Sequence, residues 1–224
     1  MAQRVPRWES ELWSYISSGD GVHCPLYGYC QVRQREGWCL ADYAGYVNQL
    51  VDTDCSNLSD YASTAKSCRI FKLIEMLALR CLKKGQVDHP PVRIELVSLA
   101  DEQCAIEVRL VPLTACHGGI WHLSGAWIIQ LNKNDSSPIR RFTLFHEAFH
   151  ILAHRRASPV FRKRGLEAGC FNELLAEQFA IFTLMPSKMV RRKWAEVNDL
   201  TKMAEIFDVP GSVVWFRLKS LHLI

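Results

Sequence analysis

The chain has 224 residues, 49% of them hydrophobic and 22% charged, with a formal net charge of +4. That length supports one good core and leaves little room for two full domains, and so small a charge gives no ground by itself for nucleic-acid binding. With no long apolar run and no signal-peptide core in the opening MAQRVPRWESELW, a cytoplasmic protein that does not enter membranes is expected.

Residues 7–18 read as a short amphipathic helix, broken by Gly19, Asp20 and Gly21. A loop, HCPLYGYCQVRQREGWC, then runs to Cys39. The nine cysteines are odd in number and scattered, which argues against a complete disulfide framework. Cys24, Cys30 and Cys39, with Cys55 or His23, are candidates for a structural zinc or an iron–sulfur site, although their spacing matches no common zinc finger. Reduced thiols are the competing reading. Helical patterns return over 40–52 and 61–84, the second with an apolar face of Ile70, Leu73, Ile74, Leu77 and Leu79 closed by Lys83, Lys84 and Gly85.

After HPPV, three strand-like runs, Arg93 to Leu99, Ala105 to Pro112 and Ile120 to Leu131, predict a small, mostly antiparallel sheet. Pro138 then precedes a helical stretch, RRFTLFHEAFHILAHRR. A second apolar helix, from about Asn172 to Met185, stops at Pro186. The tail, DLTKMAEIFDVPGSVVWFRLKSLHLI, reads as two short helices about a Val-Pro-Gly turn.

HEAFH, residues 146–150, places His146 and His150 four positions apart, on one face of a helix and close enough to share an ion. Glu147 stands about 100° around the helix from His146. There it can take a proton from a metal-bound water without being a ligand. A catalytic zinc needs a third protein ligand and keeps its fourth position for water. His154 is a poor third, since it would lie about 12 Å from His146 along the axis. Glu173 and Glu177 are better, because a carboxylate in so apolar a helix is costly unless something pairs with it. Spacing alone does not separate them, and Glu167 is a weaker candidate.

RFTLFHEAFHILAH followed by ELLAEQFAIFTLMP resembles the paired motifs of the ImmA/IrrE family of metallo-endopeptidases. PPV, AWIIQLN and the tail extend the resemblance over about residues 68–224. On that pattern Glu173 takes the position of the family's metal-binding glutamate, while Glu177 stands where Asn is usual. The resemblance implies an α+β zincin-like fold, a small sheet packed on the HExxH helix and on a glutamate-bearing helix. It implies a Zn2+ endopeptidase whose substrate is a transcriptional repressor, a helix-turn-helix protein, in a stress or mobile-element response. The expected organisation is an N-terminal helical, cysteine-containing extension over 1–60, a metallopeptidase domain over 61–190 and a helical tail over 191–224.

In the expected mechanism zinc is held by His146, His150 and Glu173, and Glu147 carries the proton. His117, His122, His154 and Tyr or Arg side chains are unranked candidates for a second oxyanion donor. Substrate is expected to lie along AWIIQLN as an added edge strand. An alternative function is a DNA- or protein-binding transcriptional regulator, since Arg191, Arg192, Lys193, Arg217 and Lys219 give the tail a helix-turn-helix character. Its apolar Trp215, Phe216, Leu218 and Leu221 favour packing instead. The basic run of Arg155, Arg156, Arg162, Lys163 and Arg164 reads as a solvated loop or as a steering patch for an acidic partner.

Overall fold

The computed structural model describes residues 6–18, 65–114, 116–156 and 166–224. The helix expected over 40–52, the cysteine loop with His23, Cys24, Cys30, Cys39 and Cys55, and the basic Arg162, Lys163 and Arg164 lie outside the described residues. Helix α1 (Arg7–Ser18) is followed by α2 (Ala65–Lys84), a 3-10 helix (Ile94–Ala100), and strands β1 (Ile106–Val111), β2 (Gly118–Leu123) and β3 (Ala126–Asn132). Then come α3 (Ser137–Arg156), α4 (Leu166–Leu184), α5 (Ser187–Val197), α6 (Leu200–Phe207) and α7 (Gly211–Ser220). The class is α+β, as expected. No helix among the described residues is long and apolar enough to cross a membrane.

The elements stack in layers. The sheet packs on α3, α3 on α4, and α4 on α2. Helix α4 therefore has a helix on two sides, which explains why every residue from Leu175 to Met185 is buried and why its sequence shows no polar face. Ala176 and Ala180, both fully buried, keep it slender. Phe145 and Phe149 fill the centre, each contributing roughly 1.5–3 kcal/mol through burial. On α2 the buried stripe is Leu73, Ile74, Leu77, Ala78 and Leu82, whereas Leu79 points to solvent.

Helix α1 belongs to this core rather than to an appendage. Leu12 and Trp13 are buried, and Trp13 stacks on Phe149 at 6.4 Å between ring centroids. Glu9 is fully buried on the same helix and is paired with Arg80 of α2.

The sheet departs from the sequence reading in three ways. Residues 93–99 form no strand: Leu96, Val97 and Ala100 are the buried ones, a helical spacing that a short apolar run leaves ambiguous. The run from Ile120 to Leu131 is two strands, β2 and β3, joined at Ser124 and Gly125. Both residues have positive φ, 51° and 80°, as a tight two-residue hairpin turn requires. The sheet order is β1-β3-β2, with β3 antiparallel to β2 and parallel to β1. AWIIQLN is thus the middle strand, with both edges already paired, and cannot accept an added strand. Among the described residues the edge strands are β1 and β2.

Strand β2 runs alongside α3. At one end the approach is so close that a Cβ on Gly118 would come within 2.6 Å of Thr143 Cγ2, so only glycine fits. At the other end His122 is paired across the strands with Trp127, whose ring meets that of His154 on α3. Residues 146–150 lie between these two contacts.

The tail is fastened by Arg217, a residue that the sequence offered as a nucleic-acid contact. It is 3% exposed. Its Nε donates to the Met185 carbonyl at 3.0 Å, its Nη2 donates to Glu75 Oε1 at 2.7 Å, and its guanidinium lies 4.6 Å from the centre of the Phe182 ring. Replacing it removes both hydrogen bonds and leaves Glu75 without that partner. Arg217→Ala is expected to cost roughly 3 kcal/mol, measured as a lower urea midpoint. An unchanged midpoint would show that the guanidinium is not buried.

Candidate metal centre

His146 and His150 come from the middle of α3, where a 3.6-residue turn sets positions four apart on one face. Glu173 comes from α4, packed on α3. His146 Nε2 is 2.9 Å from Glu173 Oε2, His150 Nε2 is 3.4 Å from Glu173 Oε1, and the two Nε2 atoms are 3.1 Å apart. Among the described residues these three side chains form a group whose metal-ligating atoms all lie within 4.8 Å of one another.

The donor set fits a divalent cation. Two imidazole nitrogens this close cannot both point lone pairs at each other without cost, and a shared cation relieves that conflict while also meeting the carboxylate. Donors on a tetrahedral ion with bonds of about 2.0–2.1 Å stand roughly 3.3 Å apart. The observed separations bracket that value.

Burial differs across the group in a useful way. His146 is 1% exposed and Glu147 is 8% exposed, while His150 is partly open and Glu173 faces solvent. The centre is therefore rooted in the core and open on one side. Burial pushes the Glu147 carboxyl above its ordinary range, with Glu173 adding in the same direction and the two imidazoles opposing. Crowding also disfavours charge on Glu173, but hydrogen bonds and charge from His146 and His150 outweigh it and hold this carboxyl well below the usual range. At His150 desolvation opposes the proton, and the Glu173 hydrogen bond with the nearby carboxylates prevails and raises its pKa.

The other sequence candidates lie elsewhere. Glu177 is buried one turn further along α4 and is outside the three-residue group, while His154 is exposed one turn beyond His150 and packs edge-on against Trp127. The side chain of Glu167 is outside the described residues. His117 is bonded through Nδ1 to Asp135 Oδ2 at 2.6 Å, at the turn that leads from β3 into α3. Cys81, Cys104 and Cys116 are not in disulfides, and burial pushes the Cys81 thiol up to about 11.

One arrangement beside the centre escaped the sequence reading. Asp101, 4% exposed, accepts the Trp127 indole N–H at 3.0 Å through Oδ2 and the backbone N–H groups of Gln103 and Cys104 through Oδ1. The only sequence signal is an aspartate in the polar break before β1, a place where such side chains bond to nearby backbone.

A family model described as the IrrE N-terminal-like domain, of the peptidase M78 family, matches residues 102–219. The matched stretch is more than half of the chain and takes in the three strands, α3, α4 and almost all of the tail. No curated protein matches the chain. The family carries a metallopeptidase-type function and implies a metal ion, for which the His-His-Glu group is a possible site. The chain therefore belongs to the IrrE N-terminal-like domain family of metallopeptidases.

Proposed function

We propose that this chain is a zinc-dependent endopeptidase with His146, His150 and Glu173 as metal ligands and Glu147 as the proton-carrying base. The observation that carries the reading is a buried carboxylate, Glu147, close enough to feel the charge of two imidazoles that share a carboxylate from a second helix. Bound zinc supplies a nucleophilic water near neutral pH and polarises the scissile carbonyl. The protein's own part is proton handling and orientation. Glu147, with its basicity raised by burial, takes the proton from the attacking water and returns it to the leaving amine. Glu173 fixes the two imidazole rings from the α4 side.

The substrate in this reading is an extended segment of another protein, laid along the outer edge of β2 rather than along β3, because among the described residues β2 is the edge strand that runs beside α3. We further propose a cytoplasmic role in which that protein is a specific regulator, such as a helix-turn-helix repressor. Its support is the pairing of RFTLFHEAFHILAH with ELLAEQFAIFTLMP. The tail gives little support to direct DNA reading, since Arg217 is spent inside the core.

Metal analysis of purified variants tests the ligand set. His150→Ala and Glu173→Gln are expected to lose zinc by about tenfold or more in affinity, and Glu177→Gln to keep it. Zinc lost from Glu177→Gln but not from Glu173→Gln would overturn the assignment. Glu147→Gln should keep its zinc and lose at least about a hundredfold in peptide hydrolysis; comparable turnover by that variant would remove Glu147 from its role.

The pH dependence of zinc affinity is a separate check. Because the Glu173 carboxyl is held low and His150 is raised, His150 gains a proton before Glu173 as pH falls. Competition with a chelator should show affinity weakening as His150 gains its proton, with proton uptake accompanying zinc release. A break confined to the carboxylate range would contradict this ligand set.

A further inference from the structure

The outer edge of β1 carries a sequence that is complementary to itself. Strand β1 bonds to β3 through one side only: the carbonyls of Ala105 and Val111 accept from the backbone N–H groups of Trp127 and Lys133. Backbone groups alternate sides along an extended strand. The odd-numbered residues therefore face β3, and the N–H and C=O of Ile106, Val108 and Leu110 point outward. Among the described residues no strand pairs with that side. Ile129 and Leu131 of β3 are buried, whereas the residues beside them on β1, Val108 and Leu110, are 45% and 58% exposed. Such an edge is a template for another strand.

We infer that two copies of this chain pair through β1, antiparallel about a two-fold axis at Val108. In that register Val108 meets its own counterpart, and Ile106 meets Leu110 of the partner subunit on each side of the axis. These are the hydrogen-bonded positions, because they are the residues whose backbone groups point outward. Glu107 then stands opposite Arg109 of the partner subunit, twice by symmetry, at the closer, non-hydrogen-bonded positions where side chains interact most. Within one chain Arg109 already donates to Glu107, through Nε at 2.8 Å and Nη2 at 2.9 Å, so the axis gathers four charges of alternating sign. Other registers lose this match. Moving the axis by one residue sets Glu107 against Glu107 or Arg109 against Arg109. Moving it by two towards the C-terminus brings in Pro112, which has no N–H to give, and by two the other way sets both charges against uncharged residues, Ala105 and Gln103. The pairing does not depend on the peptidase reading, which uses β2.

Sedimentation equilibrium of the full chain, from micromolar to near-millimolar concentration, tests the pairing. The wild-type protein is expected to reach twice the chain mass. Glu107→Arg or Arg109→Glu makes both cross-strand pairs repulsive and should raise the dimer Kd about tenfold or more. The chain carrying both substitutions has the signs exchanged and should dimerise as the wild type does, as should an equal mixture of the two single variants. Val108→Pro removes an outward N–H without touching the bonds to β3, and should stay monomeric with its circular dichroism and melting temperature kept. A wild-type monomer throughout the range overturns the inference. So does a dimer that survives Val108→Pro and both single reversals, or a doubly substituted chain that folds yet stays monomeric. Should Val108→Pro fail to fold, the charge series decides by itself.

Discussion

Two apolar helices pressed together leave no room for a charge that lacks a partner, and α3 and α4 bring His146, Glu147, His150 and Glu173 to their contact. Everything around the contact serves to hold it. Phe145, Phe149 and Phe179 fill the space beside the imidazoles, Ala176 and Ala180 let α4 fit between its neighbours, and the sheet covers the far side of α3. In such surroundings a shared cation both relieves the crowding of like lone pairs and gives the buried carboxylate an opposite charge to face.

The same packing explains why the polar groups that are not at the centre are so fully engaged. Asp101 uses both oxygens on one indole and two backbone amides, and Arg217 divides its donors between a carbonyl and a carboxylate. Each joins segments far apart in sequence. They are the fasteners that keep the first strand's approach and the last helix in register with the helical layers.

What the sequence made legible was local. HEAFH declared its geometry because spacing along a helix fixes which residues share a face, and Glu173 stood out because a carboxylate is anomalous in so apolar a stretch. What it hid was long-range. No periodicity tells that β3 lies between β1 and β2, and AWIIQLN reads as an edge or a centre equally well. Residues 93–99 read as a strand because seven residues with several apolar members satisfy either period. Arg217 reads in sequence as part of a helix-turn-helix's basic set because its acceptors, Met185 and Glu75, are 32 and 142 residues away. Trp127 and Asp101, 26 residues apart, were hidden for the same reason.

The family match begins at residue 102, yet α1 and α2 lie before it and supply part of the common core. The unit that is recognised by kinship is therefore smaller than the unit that folds. Cutting the chain at the family boundary would strip α4 of its outer cover, uncovering a helix with no polar side to offer water, and would remove Trp13 from against Phe149, the neighbour of His150. Such a fragment would be an aggregation hazard rather than a minimal enzyme.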